Sequence, residues 1–298
     1  MKKTIRWTAL AAAAILALGL CACSSNDNNG STTPPAGTTD EKPDDSAGTA
    51  DDSATGLVIL DETLAAEEYG IGFRKGDVTR DVVDAALKVL KAEGKVEEIS
   101  NQWFGYDLTT IEGDAAALDG LDTQEGRTFI LGLDDSFPPM GYRDENNNVV
   151  GFDIDLAQAV CDKLGWTLQI QPIDWSAKEM ELESGNIDCI WNGMTLTPER
   201  LEAMDCSAPY MANTQVLVVR AAEGYTSKAD LAGKKLALQT GSSAEAALDS
   251  DADFKDSLAS VVTFDTNLNC FMDLEQGSVD AVLVDSIVAG WYIQTGNL

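Results

Sequence analysis

The sequence contains no histidine. That absence excludes Ser-His-Asp and Cys-His activation of a nucleophile, imidazole proton shuttling and His-ligated zinc. An enzyme built on this chain would have to work with carboxylates, Lys, Arg, Tyr or Cys. Positive charge is scarce as well: 20 Lys and Arg stand against 50 Asp and Glu, a net charge of −30 with a pI near 4.1. So acidic a chain is repelled by DNA, RNA and anionic head groups, and nucleic acid is not expected among its partners. Cys161, Cys189, Cys206 and Cys270 show no C-x-x-C spacing. A metal site is therefore not expected, buried free thiols are the default, and a disulfide of undetermined pairing stays open. What is present suits a core, since 44% of the 298 residues are hydrophobic and 23% charged, enough for one or two folded domains.

The N-terminus reads as an address. "MKKTIRW" is a positive leader, "TALAAAAILALGL" is apolar but short for a span that stops in the bilayer, and "LCAC" follows. Small residues ahead of a cysteine resemble the lipobox of bacterial lipoproteins. Cys23, preceded by Ala22, is the better lipidation candidate than Cys21, preceded by Leu20. An ordinary cleaved signal peptide is the plainer alternative. A diacylglyceryl group on Cys23 would carry two chains, enough for stable anchoring to the lipid bilayer. Loss of residues 1 to 22 would remove Lys2, Lys3 and Arg6 and move the net charge from −30 to −33. Residues 23 to 56 are Ser, Thr, Asp, Pro and Gly with few apolar positions, the composition of a disordered acidic tether.

Beyond the tether, "LVIL" (57 to 60) and "YGIGF" (69 to 73) read as two strands. Val78, Val82, Ala86 and Leu90, then Val96, Ile99 and Trp103, repeat at helical spacing. The acidic run "EGDAAALDGLDTQEG" (112 to 126) interrupts. After it strands alternate with helices: "TFILGL", a helix with Ile154, Ala157, Cys161 and Leu164 on one face, "TLQIQPI", "AKEMELESG", "IDCIWNG", "TPERLEAM" and "TQVLVVR". A second alternation runs "KKLALQ", "SSAEAALDS", "LASVVTF", "NLNCFMDLEQG", "VDAVLV" and "SIVAGWYIQ". Such alternation predicts parallel sheets with helical crossovers, here two α/β lobes joined by an extended strand. The last helix should return to a parallel strand beside "VDAVLV", yet none follows it, whereas "LVIL" has no crossover leading into it. The missing strand and the orphan strand are expected to be one object.

"LDDSFPPMGYRDENNNVVGFDIDLAQAVCDKLGW", "IDWSAKEMELESGNIDCIWNGMTLTPER", "SAPYMANTQVLVVR", "DLAGKKLALQTGSSA" and "FMDLEQGSVDAVLVD" resemble, in that order, the polar amino acid solute-binding proteins of ABC importers, the bacterial extracellular solute-binding proteins of family 3. The resemblance covers nearly all of residues 57 to 298. It implies a two-lobe, periplasmic-binding-protein-like type II α/β fold that closes over an amino acid. The order departs from the family: "ILDETLAAEEYGIGFRKGD" through "ISNQWFGYDLTT" resembles the family's C-terminal end but precedes "TFILGLDDSFPP", which resembles its start. The expectation is a circular permutation, with residues 112 to 126 as the splice. Lobe 1 would then hold residues 69 to 213, and lobe 2 residues 57 to 68 and 214 to 298. A fragment of a tandem array or an error of gene assembly are the competing readings, although a tandem copy should show a second "FPPMGY" before residue 57.

The resemblance also supplies site residues. Arg200 matches the arginine that grips the α-carboxylate, a task suited to a planar guanidinium; a solvated surface charge is its plainer reading. Gly193 and Thr195 match positions offering backbone and hydroxyl groups, although a strand end and a helix cap would account for them. Ser242 and Ser243 stand at a strand-to-helix junction and could be ordinary caps. Asp285, after a strand, matches the partner of the α-ammonium, with helix capping as its alternative. Phe137 and Trp175 match aromatic walls, and Asp134 a position at the far end of the ligand side chain, with basic and neutral polar ligands both open. The implied function is a lipid-anchored extracytoplasmic receptor, a monomer without catalytic activity or cofactor, that hands an amino acid to an ABC permease. A dehydratase-like enzyme and an amino-acid sensor on the same fold are the alternatives.

Overall fold

The computed structural model describes residues 56 to 296. The signal peptide, Cys23 and the tether up to residue 55 lie outside the described residues. The chain opens with β1 (Leu57–Phe73), followed by α1 (Thr79–Ala92) and α2 (Lys95–Phe104). Then come β2 (Thr128–Leu133), the short β3 (Ser136–Phe137), β4 (Gly141–Arg143) and β5 (Val149–Val150), and α3 (Phe152–Leu164). β6 (Thr167–Pro172), α4 (Lys178–Ser184), β7 (Cys189–Thr195), α5 (Pro198–Ala203) and β8 (Asp205–Cys206) lead to the long β9 (Met211–Arg220). The remainder is β10 (Lys235–Gln239), α6 (Ser243–Asp249), α7 (Ala252–Ser257), β11 (Ser260–Phe264), α8 (Asn267–Glu275), β12 (Ala281–Asp285) and α9 (Ser286–Thr295).

One sheet threads both lobes in the order β11-β10-β12-β9-β1-β7-β2-β6, with β8 paired to β1. β2 pairs in parallel with β6 and β7, and β10 in parallel with β11 and β12, as the alternation predicts. The two halves are joined by β1 and β9, which run antiparallel from Leu57 opposite Arg220 to Tyr69 opposite Met211. Two findings differ from the sequence expectation. First, "LVIL" and "YGIGF" belong to one 17-residue strand. The intervening "DETLAAEE" reads as a connection because it is polar, and it is polar because β1 is buried only towards its ends while much of its middle faces solvent. Second, the side of β12 not paired with β10 is taken by β9, antiparallel to it. β1 is parallel to β12 but one strand removed, so "LVIL" does not fill the place directly beside "VDAVLV" that the crossover argument assigned to it. The lobes are accordingly joined by two extended strands rather than one.

The four residues expected on one face of α3, Ile154, Ala157, Cys161 and Leu164, are all buried. In the other half, Leu60 of β1 joins Leu217, Val219, Leu236, Leu238 and Leu283 in a core beneath α6. The 112 to 126 run has neither helix nor strand, yet it is pinned to the domain. Asp114 N donates to Lys88 O at 3.0 Å, the Trp166 indole Nε1 donates to Thr123 O at 2.6 Å, and Gly126 N donates to Gly165 O at 2.9 Å. Its backbone groups thereby find partners without a secondary structure of their own.

Candidate functional site

In open α/β sheets, ligands bind outside the carboxyl ends of the parallel strands. Here those ends deliver polar residues to one place. Asp134 follows β2, Asn192, Gly193 and Thr195 end β7, Gln239 ends β10 and Asp285 ends β12. Together with Phe137, Trp175, Arg200, Ser242 and Ser243 they line one cavity between the lobes, which are drawn so close that it has room for little more than a single water molecule. All nine residues singled out from the sequence, Asp134, Phe137, Trp175, Gly193, Thr195, Arg200, Ser242, Ser243 and Asp285, are on its wall.

Several plainer readings of these residues fail on geometry. Asp285 is the residue before α9, but its side chain makes no capping bond. Its Oδ1 instead accepts from the Tyr69 hydroxyl at 2.7 Å and from Asn213 Nδ2 at 2.6 Å. Ser242 precedes α6 without capping it and donates to Gln239 O at 2.7 Å. Thr195 is not a cap; that part is taken by Thr197, whose side chain accepts from Arg200 N. Arg200 is not a solvated charge either, being 6% exposed. Trp175 belongs both to the cavity wall and to an apolar cluster with Leu182, Ile187 and Met194.

The two lobes meet across this cavity. Arg200 Nη2 and Lys178 Nζ, from one lobe, both donate to Gly241 O of the other, at 3.2 and 3.0 Å. Ser243 Oγ lies 3.1 Å from Thr195 Oγ1, and Gln239 Nε2 donates to Asp134 Oδ2 at 2.7 Å. Arg200 also donates Nη1 to Thr195 O at 2.9 Å and lies 5.7 Å from the Trp175 ring centroid, near the limit for a cation–π contact.

Charges are strongly perturbed here. Burial raises the Asp285 carboxyl above the usual carboxylate range, and the nearby Glu67 charge adds to the rise. Burial also raises Asp134, against hydrogen bonds from Ser136 and Gln239 that lower it. Arg200 and Lys178 are lowered, in both cases first by burial. Behind the wall, Asp153 is fully buried and pushed up to about 7 by desolvation. Its Oδ2 accepts from Gly193 N at 2.7 Å and from the Tyr210 hydroxyl at 3.0 Å, which fixes the backbone turn that Gly193 makes at φ 56°. A Cβ at Gly193 would come within 2.9 Å of the Phe137 ring and 3.2 Å of the Tyr69 ring.

The sequence reading missed Asn192, Gln239, Glu67, Tyr69 and Lys178. Gln239 was findable as the last residue of the strand "KKLALQ". Glu67 was not, because its segment read as a connection between two strands. No group of His, Cys, Asp and Glu that could hold a metal ion occurs among the described residues.

The architecture is that of a two-lobe α/β protein whose interlobe cavity presents a guanidinium, carboxylates and two aromatic faces. The profile of bacterial extracellular solute-binding proteins, family 3, matches residues 129 to 242. The chain is 32% identical over 168 residues to the L-cystine-binding protein TcyJ of Escherichia coli (strain K12), covering 56% of this chain and 62% of that protein. It is 30% identical over 172 residues to the putative ABC transporter arginine-binding protein 2 of the same organism, covering 57% of this chain and 69% of the relative. Among solved structures, an ABC uptake transporter substrate-binding protein from Streptococcus pneumoniae with bound histidine is 40% identical, with a TM-score of 0.55 over 55% of this chain and 68% of that one. An ancestral arginine-binding protein bound to arginine is also 40% identical, with a TM-score of 0.52 over 56% of this chain and 73% of that one. The chain belongs to the family 3 bacterial extracellular solute-binding proteins. It spans about three-fifths of the length of the first curated relatives it matches. Those relatives are named as transport binding proteins, not as enzymes.

Proposed function

We propose that this protein is an extracytoplasmic receptor, lipid-anchored through Cys23, that takes an amino acid into the interlobe cavity and delivers it to an ABC importer. The observation carrying this reading is the presence of both Arg200 and Asp285 on the wall of one interlobe cavity, because a free amino acid presents a carboxylate and an ammonium together. In this reading Arg200 takes the α-carboxylate, with the Thr195 and Ser243 hydroxyls beside it, and Asp285 takes the α-ammonium. Phe137 and Trp175 flank the side chain, and Asp134 faces its far end. A buried carboxylate is costly without a positive partner. Once Arg200 and Asp285 are matched by the zwitterion, Asp134 is left over, which favours an amino acid with a cationic side chain. The relatives named for arginine and histidine support that class. Lobe closure would be favoured by contacts that both lobes make with the ligand, as Arg200 and Asp285 would supply.

We also propose that the chain is circularly permuted, with residues 112 to 126 as the splice and with lobe 1 at 69 to 213 and lobe 2 at 57 to 68 plus 214 to 298. The family match beginning at residue 129 supports this, since β1, α1 and α2 stand ahead of it. No catalytic group is needed for the transport reading, so the dehydratase-like and sensory alternatives gain no specific support. The test is a thermal-shift screen of the protein against all common amino acids. One cationic amino acid should raise the melting temperature most, since a ligand that binds only the native state stabilises it. Equal or larger shifts with glutamine would make Asp134 a hydrogen-bond acceptor only, and no shift with any amino acid would contradict the receptor reading.

A further inference from the structure

Glu67 lies on β1, one of the two strands joining the lobes, and does not line the cavity. Its Oε2 nevertheless accepts from three side chains, one of them on the cavity wall: Thr195 Oγ1 of β7 at 3.0 Å, Asn213 Nδ2 of β9 at 2.9 Å and Gln215 Nε2 of β9 at 3.0 Å. The Asn213 nitrogen also donates to Asp285 Oδ1 at 2.6 Å, so one amide bridges two carboxylates. Asp285 Oδ1 takes a further bond from the Tyr69 hydroxyl, two residues along β1 from Glu67. Gln215 in turn donates to Ser243 Oγ at 3.2 Å. The network thus ties the joining strands to residues of both lobes.

Two carboxylates bridged by a single amide nitrogen in a buried site repel each other, and one charge is relieved most simply by a proton. The charged and titratable groups around the pair are few. Tyr69 comes from β1, and Arg200 comes from α5, where its charge is felt by both Asp285 and Glu67. β9 contributes the neutral Asn213 and Gln215, α6 the neutral Ser243, and α9 the neutral Ser286, whose hydroxyl donates to Asn213 Oδ1 at 3.1 Å. Arg200 is itself committed to Thr195 O and Gly241 O rather than to either carboxylate. A second cation beside Asp285 would remove the need for the proton.

We propose that Glu67 is a positioning residue for the ammonium subsite, its carboxylate, held beside Asp285 by the Asn213 amide that donates to both, keeping a proton on Asp285 in the ligand-free protein, and that this proton is released to solvent when a ligand ammonium enters. No bond other than the O–H is broken, and the charge of the pair changes by the one unit that the ammonium compensates. The inference rests on the amino-acid reading above. It makes binding compete with protons: below the pH at which Asp285 of the free protein loses its proton, affinity falls by up to about tenfold per pH unit.

Carboxyl carbon-13 NMR titration of the protein, with and without the amino acid that gives the largest thermal shift, tests this. Asp285 in the ligand-free wild type should titrate well above the ordinary carboxylate range. Glu67→Gln should bring that step down, whereas the exposed neighbour Glu68→Gln should leave it in place. Saturating amino acid should abolish the step in the wild type and, by calorimetry in buffers of different ionisation enthalpy, release up to one proton. An Asp285 step in the ordinary range in the free wild type, or one that Glu67→Gln leaves unmoved, would overturn the Glu67-held proton on Asp285 whatever the ligand. If the step appears as expected but no amino acid shifts it, the ammonium assignment falls together with the amino-acid reading. If an amino acid binds tightly without releasing a proton, only the present inference falls.

Discussion

Asp285 illustrates how much at the residue scale depends on where a side chain finds its partners. Standing before α9, it could have capped that helix, yet its carboxylate turns to Tyr69 and Asn213 instead. Its truncation should therefore damage binding far more than folding. Asp285→Ala is expected to weaken amino-acid binding at least about 30-fold, in line with the roughly 2–5 kcal/mol lost when one partner of a buried charge pair is removed. The melting temperature should change little, because the substitution also relieves the repulsion with Glu67. Arg200→Lys should cost about 10- to 100-fold in affinity, since an ammonium cannot reproduce a guanidinium that bonds Thr195 O and Gly241 O and still faces a carboxylate. Calorimetric titration of both variants checks these values. Of the cavity residues at strand ends, Asp134, Gly193, Thr195 and Asp285 were legible in the sequence through the motifs that carry the family resemblance, whereas Asn192 and Gln239, although they close strands, were passed over. Glu67 was not legible, since what brings it to the site is the pairing of distant strands, and neither was Lys178, which stands at the start of α4 and reaches Gly241 O only across the two lobes.

Among the elements, β1 carries the largest difference between sequence and structure. Hydrophobic alternation marks a strand where one face is buried, and β1 loses that signature through its exposed middle, from Asp61 to Thr63. The register with β9 shifts between Ile59 and Thr63 and again between Thr63 and Ala65. Irregularities of this kind increase local twist, as a strand passing from one lobe to the next requires. The helices, by contrast, were legible in outline from their spacing, apart from α7, and so was the parallel pairing on either side. The 112 to 126 loop makes the splice testable. Shortening it between Asp114 and Thr123 should leave ligand affinity unchanged, because all three anchoring bonds remain. Removing Thr123 as well would orphan the Trp166 indole and is expected to cost about 1–3 kcal/mol of stability. A reordered chain, with residues 127 to 296 placed ahead of 57 to 111, should fold to the same sheet and bind the same ligand, as circular dichroism and calorimetry can show. Failure to fold would count against the permutation.

For the whole molecule, the excess of negative charge and the buried carboxylates act in the same direction. Desolvation pushes Asp153 to about 7 and Asp84 to about 6. In the unfolded chain such groups ionise near pH 4. Between those values the folded state holds protons that the unfolded state has released, so stability falls as pH rises. The stabilisation is present below about pH 4 and is lost progressively up to about pH 7. Ligand-free protein should accordingly melt at a lower temperature at pH 7.5 than at pH 5.5, measured at constant ionic strength, and Asp153→Asn should flatten that dependence. A rise in melting temperature over the same interval would contradict the burial of these groups.

The receptor reading stands or falls on whether the cavity holds both ends of a zwitterion. Isothermal titration calorimetry with the L-amino acid that gives the largest thermal shift, with its carboxamide and with its desamino analogue tests this most directly. The account predicts one site per chain for the amino acid and a loss of at least 100-fold for each analogue, one losing its match with Arg200 and the other with Asp285. Comparable affinity for either analogue, or no binding by any amino acid, would contradict it.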